Sequence, residues 1–298
     1  MAERIDCDVL IAGGGPTGVT LAVLLAQRGI RVVVAEKEAE IYPLPRAAHL
    51  DHETIRILQE AGVADEVVAT SRRSARYDFL TAAGEILLRY EGSDRIGPGG
   101  WPAANMIHQP SVESALRRQL ATLPSAQLHS RWELTGWNEE GAGITATIST
   151  PEGPREVRAA WLIGADGARS LVRDLIGTRM QGQYGLSRNY NIVFRAPGLA
   201  QAHRLGPAIM YWQVNRDAPS LIGPMDRGDT WFFMPTHAQP GQRASDIDAR
   251  ALIGRATGID LPYQVLSSDE WVASKLLGDR YRQGRAFLVG DACHLHPP

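Results

Sequence analysis

Residues 7–36 read CDVLIAGGGPTGVTLAVLLAQRGIRVVVAE, and the hydrophobic period changes twice along them. Residues 7–12 are a short apolar, β-branched run, 16–28 carry apolar residues at helical spacing up to Gly29, and 31–35 are β-branched again. Strand, glycine-rich turn, helix and strand in that order make a βαβ unit, because parallel strands need a crossover. At the turn Gly13, Gly15 and Gly18 stand as G-x-G-x-x-G around Pro16 and Thr17. The first glycine permits a tight turn, the second a close backbone approach to a pyrophosphate, and the third tight helix-to-strand packing, with the helix N-terminus facing the anion. Glu36, followed by Lys37, ends the second strand and can accept hydrogen bonds from a ribose diol. An acid there disfavours a 2′-phosphate, so the adenosine belongs to NAD or FAD rather than NADP. The plain alternative is a glycine turn that binds nothing.

Outward from this unit, Asp51 N-caps a helix through Leu58 to Gly62, and 76–90 read as two strands around the turn Ala83-Gly84-Glu85. Residues 92–105 are rich in Gly and Pro and read as a long loop. A helix over about 110–123 precedes strands near 126–130, 132–138, 143–149 and 155–163. From 186 to 234 the pattern is one of hairpins, at 190–195, 208–214, 220–225 and 230–234, with turns at 215–217 and 227–229. A helix at 244–257 and strands near 262–273 and 286–290 complete the chain.

With 298 residues, at roughly 150 per domain, two domains are expected. Lys plus Arg number 31 against 33 Asp plus Glu, a net charge of −2, which leaves no basic excess for nucleic acid. Hydrophobic residues at 44% and charged residues at 21% exclude a disordered or fibrous chain. Cys7 and Cys293 lie at opposite ends and suit a reducing cytoplasm. The N-terminus lacks a basic and apolar leader, and the longest apolar run, around 19–26, falls short of the roughly 18 residues of a membrane helix. The expectation is a cytoplasmic protein with no membrane or nucleic-acid partner. Cys293, His294 and His296 cluster, but zinc sites usually take three or four ligands at helix or knuckle spacing, so no metal is expected. Signatures of zinc proteases, serine hydrolases and P-loop proteins are absent.

Two further motifs, IGADGARSLVR at 163–173 and FLVGDACHLHPP at 287–298, decide between the dinucleotides. With the opening glycines they resemble the fingerprints of single-component, FAD-dependent aromatic hydroxylases of the 4-hydroxybenzoate hydroxylase type. Pro45-Arg46-Ala47-Ala48-His49-Leu50-Asp51, with Trp101-Pro102 and Gln109-Pro110, is most similar to the branch that hydroxylates 3-(3-hydroxyphenyl)propionate and related phenols. The resemblance implies an α/β fold: a Rossmann-type FAD-binding domain with an antiparallel β-sheet substrate domain. It assigns 1–75, 107–180 and 281–298 to the FAD-binding domain and 76–106 and 181–280 to the substrate domain.

The resemblance also implies roles. Glu36 binds the adenosine ribose; Arg46 and Gln109 approach the flavin or its phosphates; Asp166 and Gly167, with Arg169 and Ser170 nearby, belong to a motif linked to FAD and NAD(P)H. Gly290 and Asp291 hold the ribityl chain, and Pro297 lies where substrate meets flavin. Read without the family, Asp166-Gly167 and Gly290-Asp291 are strand-ending turns, Arg46 a loop charge and Gln109 the start of a helix. The substrate wall is expected from the antiparallel block, with Met210, Trp212 and Val214 on one strand face and Tyr211 and Gln213 on the other, either of which can line the pocket. Tyr211 can hydrogen-bond a phenolic oxygen or simply pack; His49 can act in catalysis or hold a loop.

By the same resemblance NAD(P)H reduces FAD, O₂ adds to give a C4a-hydroperoxide, and its distal oxygen attacks an electron-rich carbon of a small aromatic substrate. No second Rossmann fingerprint is present, so the nicotinamide donor is expected to bind transiently, and a homodimer is compatible with the family. A reductase or dehydrogenase of the same cofactor fold, or a non-catalytic flavin-binding fragment, are the alternatives. In the family the two prolines at 297–298 lead into a glycine-rich turn and a helix facing the flavin; without them weakened FAD binding is expected.

Overall fold

The apolar runs on either side of the glycine turn pair side by side. β1 (Ile5–Ala12) and β2 (Val32–Glu36) are parallel, with Val9 opposite Val32 and Ala12 opposite Ala35. All of β2 is buried, which explains why its residues do not alternate: a parallel strand covered on both faces has no solvent side. This computed structural model describes residues 5–43, 47–81, 83–202, 208–214, 216, 218–225, 229–236, 243, 246–259 and 262–297.

Five parallel strands make the first sheet, in the order β17 (Ala286–Leu288), β10 (Gly153–Gly164), β1, β2 and β7 (Ala126–Ser130). β16 (Arg282–Gln283) extends it antiparallel to β17, and β8 (Glu133–Glu140) and β9 (Gly143–Thr150) fold back as a meander on β10. The chain therefore leaves β1 in one direction, to β2, and later returns on its other side, to β10. Such a reversal opens a crevice at the carboxyl ends of the two strands.

Helices α1 (Pro16–Ala26), α2 (His52–Glu60), α3 (Ala64–Thr70) and α4 (Gln109–Ala121) cover one face, where Ile11 and Val34 meet Val19, Ile55 and Leu116. On the other face Leu10 and Val33 meet Trp132, just before the meander, Ile144 and Ile148 within it, and Val172 of α5 (Leu171–Leu175). Asp51 caps α2 as expected, accepting the Thr54 N–H at 2.8 Å. That bond to the ionised carboxyl lowers the Asp51 pKa. α3, which the spacing analysis does not anticipate, starts with Asp65 and Glu66 and buries Ala64, Val67 and Val68.

The second sheet runs β18 (His294–Leu295), β15 (Gln264–Gly278), β11 (Met180–Arg195), β14 (Thr230–Pro235), β13 (Ser220–Pro224), β12 (Met210–Gln213), β4 (Arg76–Leu80) and β5 (Ile86–Glu91). Neighbours are antiparallel except β12 and β4, which are parallel. Strand 210–213 is thus no simple hairpin arm on its inner side, because its neighbour there comes from far earlier in the chain. A short antiparallel pair, β3 (His49–Leu50) and β6 (Asn105–Met106), forms a two-stranded sheet of its own. It claims Asn105 from the expected 92–105 loop. α6 (Leu199–Ala202) and α7 (Ala249–Thr257) contribute Leu199, Ala249 and Ile253 to a core with Phe194, Tyr211 and Trp231 on the outer face of the second sheet.

Segment 281–298, expected entirely with the first unit, divides: β16 and β17 join the first sheet and β18 the second. After Leu288 the turn at 290–292 redirects the chain to the open edge of long β15, whose unpaired backbone groups accept one more strand. The 215–217 turn, apart from Arg216, and residues 227–228, 244 and 245 fall outside the described residues. No helix among the described residues is long and apolar enough to cross a membrane.

Leu162, at 0% exposure in the middle of β10, and Ile57, 40% exposed on α2, give a paired test of this core. Leu162→Ala is expected to cost about 2–5 kcal/mol in urea unfolding, and Ile57→Ala no more than about 0.5 kcal/mol. Equal losses would contradict the assigned packing.

Candidate cofactor site

Three sequence motifs meet at the reversal beside β1. Gly13 takes φ +108°, and a methyl group on it would lie 2.2 Å from the carbonyl oxygen of Ala165, in the second motif. A methyl on Gly18 would lie 2.1 Å from the Gly13 oxygen and 3.2 Å from the Ala165 side chain. From the third motif, Gly290, at φ +62°, turns against Thr17, whose hydroxyl would be 3.0 Å from an added Cβ. Backbone bonds tie the same ends together: Ala165 N–H to Ala12 oxygen at 2.8 Å, and Val289 N–H to Gly164 oxygen at 3.0 Å.

Gly15 is different. It has ordinary backbone angles, φ −76° and ψ −175°, and nothing lies within 4 Å of the position its Cβ would take. It N-caps α1 with no side-chain hydrogen bond, and neither an acid nor a capping hydroxyl occupies the first turn's free N–H groups. Open space in front of uncapped donors at a helix N-terminus suits a phosphate.

Glu36 is 8% exposed and does more than wait for a ribose. One carboxylate oxygen accepts the Gly14 N–H at 2.6 Å and the other the Glu38 N–H at 2.8 Å. The acid thereby shapes the glycine turn, and the lone pairs left over remain for ligand hydroxyls. Lys37 is exposed beside it.

Arg117 is the residue that the sequence analysis misses. Gln109, Glu113 and Arg117 recur every fourth residue and so share one side of α4. Gln109 accepts the Ala47 N–H at 2.7 Å and donates to Glu113 at 2.8 Å, while Arg117 donates to the Gly14 oxygen at 3.0 Å. Its buried Nε has no hydrogen-bond partner among the described residues. A guanidinium thus stands against the glycine turn; the four-residue polar spacing was its signal. Arg46 lies outside the described residues.

Each oxygen of Asp166 accepts one bond, one from the Ser170 hydroxyl at 2.5 Å and the other from the Val172 N–H at 3.1 Å. Ser170 in turn caps α5 through the Arg173 N–H. The aspartate therefore holds the turn carrying Gly167, at φ +77°. Arg169 and Asp291 are exposed. Cys293 is buried and donates to the Gly290 oxygen at 3.3 Å; burial raises its thiol pKa, so it is a packing residue rather than a reactive thiolate.

A second feature lies where the β3–β6 pair meets the second sheet. Ala104 and Met106 pack with Val193, Met225 and Phe232, and Ala48 borders them. His49 pairs directly opposite Met106, which puts both side chains on one face. Solvent reaches His49, yet the surrounding protein disfavours its imidazolium and lowers its pKa, partly opposed by Asp51. Tyr211 is not brought to this seam. It lies on the opposite face of the sheet, 4% exposed, lining a separate cavity with Thr257 and Trp231, and burial raises its phenol pKa. Its strand neighbour Met210 is the one that packs at the seam. Pro297, exposed, follows β18.

The residues present fit a flavin dinucleotide: a glycine cradle, uncapped helix donors, a terminal acid and a late Gly-Asp turn gathered at one crevice. Comparison with known proteins agrees. Residues 6–298 match the family described as FAD binding domain. The aklavinone 12-hydroxylase RdmE of Streptomyces purpurascens is 32% identical over 98% of this chain and 58% of its own length. The 3-(3-hydroxy-phenyl)propionate/3-hydroxycinnamic acid hydroxylase of Comamonas testosteroni is 31% identical over 99% of this chain and 49% of its own length. The flavin-dependent monooxygenase PieE, solved in complex with FAD and substrate, superposes with a TM-score of 0.90 at 27% identity, over 99% of this chain and 54% of that one. This chain spans about half the length of those relatives. From Asp6 onward, the chain belongs to the FAD-binding domain family.

Proposed function

We propose that the protein carrying this chain is a flavin-dependent monooxygenase that hydroxylates a phenolic or other aromatic substrate with NAD(P)H and O₂. The observation that carries this reading is the meeting of three distant glycine motifs in one crevice, with an apolar seam between the β3–β6 pair and the second sheet. The first sheet with its helices is the cofactor unit and the second sheet the substrate unit. Cys7 and Cys293, both buried and in no disulfide, suit the cytoplasm.

In this reading the N–H groups of the first turn of α1 and the Arg117 guanidinium hold the pyrophosphate, and Glu36 holds the adenosine ribose. Gly290 and Asp291 take the ribityl chain. FAD, when bound, supplies the redox chemistry that links NAD(P)H to oxygen. The protein's task is then to orient the ring, keep water out and accept a proton. Met106, Val193, Met225 and Phe232, all at most 4% exposed, make the seam dry. His49, beside them and neutral at pH 7, is the acceptor for the phenolic proton. Asp166 acts as a positioning residue through its turn.

Gly15→Ala meets no atom in the protein, so it should leave the unfolding midpoint unchanged while weakening FAD binding roughly tenfold or more. Gly13→Ala, strained at φ +108° and blocked by Ala165, should lose both. Flavin titration alongside thermal unfolding separates the two.

His49→Gln should lower kcat about a hundredfold with FAD affinity intact. Because burial lowers the His49 pKa from its ordinary value of 6.5, the acid limb of wild-type kcat, where the imidazole gains a proton, should have its midpoint below pH 6.5, and this limb should vanish in the variant.

The full-length protein should consume NAD(P)H and O₂ on addition of a phenol and release a hydroxylated product bearing ¹⁸O from ¹⁸O₂. Turnover without incorporated oxygen would instead mean a reductase or dehydrogenase, and bound flavin without turnover a non-catalytic module.

A further inference from the structure

The face of the second sheet that forms the seam does not end there. Trp212 opposes Phe79 on one side and Leu221 on the other, and Leu221 opposes Met234. In the adjacent row Tyr77 opposes Met210, and Phe232 lies between Val193 and Gly223. Residues paired across strands share a face, so these form one surface over β4, β12, β13, β14 and β11. Gly223 is part of its shape: a methyl there would meet the Phe232 ring at 2.7 Å.

Exposure grades along this surface. Phe232 and Val193 are 4% exposed at the seam, Tyr77, Met210, Leu221 and Met234 are half-buried against it, and Trp212 reaches 37% at the outer end. There the Phe79 and Trp212 rings stack 5.6 Å apart and 4° from parallel, with Tyr90 edge-on to Phe79 at 6.1 Å. From β14 to β4 is three strand spacings, about 14 Å, much longer than one benzene ring.

Charge is placed elsewhere. Among the described residues of these two rows there is no ionised side chain. Asp78 and Arg89 pair on the opposite face, at 2.6 Å, and the Arg72 guanidinium lies over Trp231, also on that face. The outer rim carries Glu91 and, packed on Gly92, Arg95, of opposite sign. A carboxylate lying along the rows would be desolvated without a partner, which is costly. The methionines Met210 and Met234 can adapt to a flat ring face.

We propose that this surface is an outer subsite of the substrate pocket and takes a neutral, planar substrate of two or more fused aromatic rings, the reacting ring at Phe232 and the others along Phe79 and Trp212. The proposal rests on the monooxygenase reading and narrows its substrate class.

The test is a binding titration of the full-length, flavin-loaded protein, read from the flavin absorbance without turnover. The probes are phenol, 2-naphthol, 2-hydroxyanthracene and 3-(3-hydroxyphenyl)propionate. Affinity should rise about tenfold with each added ring, and the carboxylate should bind no better than phenol. Trp212→Ala and Phe79→Ala should abolish the gain from extra rings while leaving phenol affinity unchanged, and Trp212→Phe should restore most of it. An affinity independent of ring number, tightest binding of the carboxylate, or equal losses for phenol and 2-hydroxyanthracene in the alanine variants would overturn the proposal. Ring-dependent binding without incorporation of oxygen would overturn the monooxygenase reading and leave the subsite standing; phenol hydroxylation without ring dependence would do the reverse.

Discussion

Everything at the cofactor site depends on how closely two parallel strands bring their ends together. At the carboxyl ends of β1 and β10 the backbone of Gly13 abuts that of Ala165 with no room for a single carbon between them. That approach needs hydrogen at both Gly13 and Gly18, and it seats the 164–167 turn beside the N-terminus of α1. β17 on the far side of β10 then places Gly290 against Thr17. Three segments separated by more than a hundred residues are thus locked into one rim by sterics and a few backbone hydrogen bonds, before any ligand is considered.

Polar side chains at this rim hold its structure, and in the proposed reading some of them serve the ligand as well. Glu36 is both the acid at the end of β2 and the acceptor that shapes the Gly14 turn. Asp166 spends both oxygens on its own loop, and Gln109 bridges α4 to Ala47. Such groups preorganise a site, because a loop already held by hydrogen bonds loses less conformational freedom when it is used.

The second sheet divides its two faces by task. Its outer face is built for stability, with Phe194, Tyr211 and Trp231 under α7 and a buried Asp78 paired with Arg89 by two short hydrogen bonds. Its inner face is apolar, methionine-rich and only partly covered. The period of two in β12 makes this possible: Tyr211 and Gln213 turn to the core while Met210 and Trp212 turn to the seam.

Local patterns settled much of this protein in advance. The change from period 2 to period 3.6 and back over 7–36 dictates strand, helix and strand, and the glycines at 13, 15 and 18 announce a tight turn into the helix, because each of these is a property of neighbouring residues. Asp51 as a cap and the 126–164 strands were readable for the same reason. What pairs with what was not: the parallel contact of β12 with β4, the crossing of β18 to the second sheet, the choice of Met210 over Tyr211 for the seam, and the arrival of Arg117 at Gly14 all depend on segments distant in sequence. A strand's alternation says that it has two faces but not which is covered, and a helix's polar side becomes a site only when another chain segment is brought against it.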